Sequence, residues 1–70
     1  MNDNSLVGAI LSAGYINPRW MFVTKVDGQN VYGRLWSARS QAWTKTSALY
    51  SRDALGKKTP RCPKPARPPD

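Results

Sequence analysis

Proline sets the tightest limit on this chain. Five of its six prolines fall in residues 57–70, KKTPRCPKPARPPD, together with five basic residues and no large aliphatic or aromatic side chain. Such a stretch buries too little apolar surface to offset the entropy of ordering, so a disordered, solvated and extended tail is expected there. Residues 1–56 must then supply a single folded domain. That is near the lower limit for a domain without disulfides or metal, and modest stability is expected.

Within that domain the clearest pattern lies in residues 20–46. Residues 20–26, WMFVTKV, are β-branched and aromatic, as strands prefer. The turn cluster Asp27-Gly28-Gln29-Asn30 follows, and residues 31–36, VYGRLW, form a second strand, which predicts a β-hairpin. A polar loop at residues 37–41 leads to a third short strand at 42–46. Pairing of Val26 with Val31 places Phe22 opposite Leu35 and Met21 opposite Trp36. Alternation then puts Trp20, Phe22, Val26, Val31 and Leu35 on a core-facing side. The other side carries Met21, Val23, Lys25, Tyr32, Arg34 and Trp36. Gly33 lies mid-strand, a place for a sharp bend. The register of Trp43 depends on the loop before it and is left open.

The flanks are read more coarsely. Asn4 or Ser5 is placed to cap a short helix through Ala13, ended by Gly14. A strand is the alternative, because Gly8 weakens a helix by roughly 1 kcal/mol relative to Ala. Asn17-Pro18 is a turn. Thr46 or Ser47 is placed to cap a last helical turn through Leu55, closed by Gly56, with Leu49, Tyr50 and Leu55 packing it on the sheet. The expected fold is therefore mainly β (α+β): a small twisted meander of three to five antiparallel strands, with a short N-terminal helix or strand and a C-terminal helical turn.

Composition narrows the function. Eleven Lys and Arg stand against four Asp, with no His and one Cys. General acid–base work near neutral pH usually wants a His or a tuned carboxylate, and the four aspartates show no paired spacing. A zinc site needs about four Cys, His or acidic ligands. Glycine-rich phosphate loops are absent, and Ser47 and the other hydroxyl residues have no base near them in sequence. No enzymatic activity, cofactor or metal is expected. A lone Cys rules out an intrachain disulfide, which suits a cytoplasmic protein. No secretory signal is visible, and the apolar stretch 6–11 is far short of the roughly 20 residues that span a bilayer.

What remains is binding. The formal net charge is +7, of which +4 lies in residues 51–70. Charge of this density draws a chain to polyanions or acidic protein surfaces; the plainer reading is solubility alone. Lys25, Tyr32, Arg34 and Trp36 on one sheet face, with Arg39 in the following loop, are candidate partner-binding residues. Aromatics beside cations stack bases and also anchor protein interfaces, unless the N-terminal segment covers them as a second core face. In the tail, Lys57, Lys58, Arg61, Lys64 and Arg67 make an electrostatic arm. Pro60-x-x-Pro63 and Pro65-x-x-Pro68 match a loose proline-rich ligand pattern. The tail has the charge for an acidic membrane surface but lacks insertion residues, so membrane binding is not expected. Nor is a small-molecule substrate.

Residues 22–35, FVTKVDGQNVYGRL, followed by Ala42-Trp43 and the turn near Leu49, resemble a small SH3-like barrel over about half the chain. That resemblance implies a curled, partly open barrel that binds proteins, DNA or RNA through its sheet face and loops. In overall character (very short, no catalytic set, a charged tail) the chain is similar to small bacteriophage proteins that bind host RNA polymerase. This similarity implies transcription regulation, by inhibition of initiation or by antitermination, in the bacterial host cytoplasm. The expected partner is an acidic surface of a large machine, bacterial RNA polymerase foremost, with direct DNA or RNA binding as the alternative.

Overall fold

The computed structural model describes residues 6–68. Four strands follow one another along the chain: β1 (Ile10–Ala13), β2 (Arg19–Asp27), β3 (Asn30–Ser37) and β4 (Ala42–Ser51). They form one antiparallel sheet in the order β1-β2-β3-β4. The mainly-β meander expected from the hairpin pattern is thus present. The hairpin turn has two residues, with Asp27 paired to Asn30, and Gly28 takes a φ of 61°, a left-handed conformation that glycine adopts without steric cost.

Val26 pairs with Val31 as expected, but the register then slips. Between Val23 and Lys25 the strand bulges, so Val23 pairs with Gly33, Phe22 with Arg34 and Met21 with Leu35. The expected pairs Phe22–Leu35 and Met21–Trp36 are corrected by this one extra residue. A bulge flips every side chain beyond it to the opposite face. Met21 and Val23 therefore join Val31 in the fully buried core, while Trp20 and Phe22 move to the face of Lys25, Tyr32, Arg34 and Trp36. Ala13 completes the core, and Leu6, Leu11, Val26, Leu35, Tyr50 and Leu55 pack around it.

A second irregularity lies where β3 meets β4. Arg34 pairs with Ser47 but Trp36 pairs with Trp43, so β4 carries extra residues opposite Leu35. The Thr44 hydroxyl fills the gap in the ladder: it accepts from the Leu35 N–H at 3.2 Å and lies 3.1 Å from the Leu35 carbonyl, to which it donates. Side-chain oxygens take this role where a backbone partner is missing.

Of the two forms expected for the N-terminal segment the structure takes the strand, and the expected C-terminal helical turn is corrected. Ile10–Ala13 is a strand, and its ladder with β2 continues through Gly8 N–H to Val23 C=O and Val23 N–H to Ala9 C=O. Gly8, at φ 89°, stands outside helical geometry. The proposed caps Asn4 and Ser5 lie outside the described residues. At the other end β4 runs on to Ser51, so Thr46 and Ser47 are strand residues rather than caps. Only a single 3-10 turn follows, Arg52–Ala54, and its cap is Ser51, whose hydroxyl accepts from the Asp53 N–H. Leu49 is 56% exposed and takes no part in the core.

The 3-10 turn sends the chain back across the molecule. Leu55 bridges to Ala13, flanked by Gly14 N–H to Ala54 C=O and Gly56 N–H to Ser12 C=O, both 2.9 Å. The outer edge of β1 is therefore covered by residues 54–56. Covering an edge blunts its capacity to pair with another chain.

Candidate functional site: an aromatic sheet face under a basic strap

The bulge at Thr24 and the irregularity opposite Leu35 set four large rings on the sheet face that also carries Tyr32. Phe22 and Trp43 have ring centroids 6.0 Å apart, and Trp36 meets Trp43 edge-on at 5.2 Å. Such tilted pairs are a favoured aromatic geometry. Trp20 stands two residues from Phe22 on the same face. Trp20, Phe22, Trp36 and Trp43 are all half-buried.

Residues 57–68 have neither helix nor strand, and residues 60–67 lie across these rings. The Trp20 indole N–H donates to the Cys62 carbonyl at 3.0 Å, and the Trp43 indole N–H donates to the Ala66 carbonyl at 2.9 Å. The Arg67 guanidinium sits 5.8 Å from the centroid of the Phe22 ring, within cation–π range. Pro60 is buried and Cys62 half-buried. The segment expected as a solvated arm is extended, yet it forms a strap over the sheet. The physical reason is that the two irregularities of register set the Trp20 and Trp43 indole donors on this face, and proline-rich backbone supplies carbonyls to meet them.

The ten expected binding residues stand in different settings. Lys25 is exposed, with Nζ 5.5 Å from the centroid of the half-buried Tyr32 ring. Arg34 is half-buried and donates from Nε to the Thr44 carbonyl at 2.6 Å, so it braces the second irregularity of the sheet. Trp36 belongs to the ring cluster. Arg39 is exposed in the β3–β4 loop, and Lys57, Lys58, Arg61, Lys64 and Arg67 are exposed along the strap. Trp20 and Phe22, expected in the core, and Trp43, left unplaced, are the missing members of the site. The available signal was that Met21 and Val23 alternate as well as Trp20 and Phe22 do.

A cleft of about 700 Å³ opens at one end of the strap, between residues 16–20, the start of the β3–β4 loop and residues 60–62. Trp20 and Trp36 form part of its wall. Arg19, Arg39 and Arg61 line it with no carboxylate among the described residues. Ile16, 89% exposed, lies at its rim.

Among the described residues, no three His, Cys, Asp or Glu side chains come together as a metal site. No helix among them is long and apolar enough to cross a membrane. The arrangement offers indole donors, ring faces and guanidinium groups, which are means of binding. The chain matches no protein-family model, and no curated protein and no solved structure matches it.

Proposed function

We propose that this chain is a non-enzymatic binding module, a transcription regulator of the inhibitor or antiterminator kind that docks on an acidic surface of bacterial RNA polymerase. The observation that carries the reading is the strap. It holds exposed Arg61, Lys64 and Arg67 along the sheet face, with exposed Lys57 and Lys58 leading into it, in a chain of net charge +7. Cations held in place lose less freedom on binding than cations on a loose arm. Their field also steers encounter with an acidic partner. The mechanism is occlusion or displacement of another factor in the cytoplasm of a bacterial host. The choice of polymerase rests on the similarity in character to small phage regulators.

The finer fold reading belongs with this proposal. A meander followed by a 3-10 turn and a return of Leu55 to β1 supports a small, partly open SH3-like barrel. Co-purification of the tagged full chain from bacterial lysate tests the function. Polymerase subunits are expected in the eluate, and their absence at low salt counts against the proposal.

A second reading, direct DNA or RNA binding, is favoured by the cleft with Trp20, Trp36 and three arginines. Rings beside cations stack bases and neutralise phosphates. Gel shifts at rising salt test it: each phosphate contact steepens the fall of log affinity with log salt by about 0.7–0.9. No shift at low salt removes this reading. Binding to polymerase freed of nucleic acid separates the two.

A further inference from the structure

We propose that the aromatic face is a recognition groove for an extended, proline-rich segment bearing a basic residue, and that residues 60–67 occupy it in cis. The inference stands apart from the choice between polymerase and nucleic acid, because it concerns what the sheet face itself reads.

Three features of the contact select this chemistry. First, the anchors are indole N–H groups, which donate and never accept. They take the carbonyls of Cys62 and Ala66, four residues apart, a span of about 12 Å in a polyproline II strand. A segment joining a sheet edge needs its own N–H groups accepted as well. A donor surface instead suits a strand that has lost them, and four of residues 60–68 are proline. Second, the segment's prolines suit the position: Pro60 is buried and lines the cleft together with Trp20 and Trp36, and Cys62, biased to extended backbone by Pro63 after it, presents its carbonyl to Trp20. Third, Arg67 over Phe22 gives the groove a preference for a cation at one end of the ligand. Prestiffened polyproline strands docked on aromatic grooves are a general recognition mode.

Occupancy in cis makes the groove gated. The connection from Leu55, bridged to β1, to Pro60 is short, and a short tether gives the strap an effective concentration in the millimolar range. An outside segment binds only by displacing it. Displacement uncovers the rings and frees the cations of the strap together.

The test follows the three indole N–H signals of the full chain by NMR under reducing conditions. The probe is a synthetic peptide of residues 59–68 with Ser in place of Cys62. The control peptide keeps every charge but has Ala in place of Pro63 and Pro65. A full chain carrying Pro63→Ala and Arg67→Ala, changes outside the core, weakens the strap. The probe should shift the Trp20 and Trp43 signals saturably, at concentrations at least tenfold lower in the weakened chain than in the wild type. The control peptide should bind at least tenfold more weakly. Trp43→Phe in the weakened chain, which keeps a ring and loses the donor, should reduce probe binding severalfold. A dimer that grows with concentration and dissolves on adding the probe supports the proposal, since a second copy's strap is such a segment. Unmoved indole signals in the weakened chain overturn it, as does equal binding of the two peptides, which would leave charge as the only recognition.

Discussion

At Gly33 the neighbouring β2 strand leaves no room for a side chain. A methyl group there would stand 2.9 Å from the Met21 Cγ and closer still to the Phe22 carbonyl, which is backbone and has no room to yield. Gly33→Ala is therefore expected to destabilise the domain by about 1–3 kcal/mol, the usual cost of overpacking, read from urea or thermal unfolding. Its position mid-strand marked it as a special residue in the sequence; that it serves close strand approach became visible only with the register. Thr44 makes a second prediction at this scale. Thr44→Val keeps the shape and removes the hydroxyl that meets both backbone groups of Leu35. A loss of about 1–2 kcal/mol is expected, with faster hydrogen exchange at the Leu35 amide. At the strap, Trp20→Phe removes the bond to the Cys62 carbonyl. A hydrogen bond worth about 1 kcal/mol predicts roughly fivefold faster modification of the Cys62 thiol by a small reagent.

Among the elements, the β2–β3 hairpin was legible because its turn has local chemistry that no neighbour needs to complete. The bulge was not. Residues 20–23, WMFV, are apolar at every position, so a two-residue period fits either face equally, and one inserted residue decides which face is core. The bulge yields a prediction of its own. Deleting Thr24 joins Val23 to Lys25 in regular alternation and keeps Val23 opposite Gly33 and Met21 opposite Leu35 on the core face, so the deletion chain should retain a cooperative thermal transition by circular dichroism. Thr24→Ala, which keeps the spacing, should shift stability by no more than about 0.5 kcal/mol. The C-terminal helix was misread because Thr46 and Ser47 resemble caps. In the sheet, Ser47 pairs with Arg34, and Tyr50, paired with Val31, reaches the core. Propensity yields to tertiary pairing there.

For the whole molecule, the candidate site was half legible. Lys25, Tyr32, Arg34, Trp36 and the basic residues of 57–70 were visible from charge and alternation. Trp20, Phe22 and Trp43 were not, because their face depends on two irregularities of register. The contact of the strap with the sheet lies further still from sequence reasoning, since Trp20 and Cys62 are 42 residues apart. On the proposed reading, this small sheet grips a larger acidic partner without transforming it. Fluorescence anisotropy with purified bacterial RNA polymerase, free of nucleic acid, tests that claim most directly, comparing the wild-type chain with one bearing Lys57→Glu, Lys58→Glu, Arg61→Glu and Lys64→Glu. Saturable binding by the wild type that weakens with salt, and at least a tenfold loss in the folded variant, is the predicted result. Absence of binding at low salt, or equal binding by both chains, would contradict it.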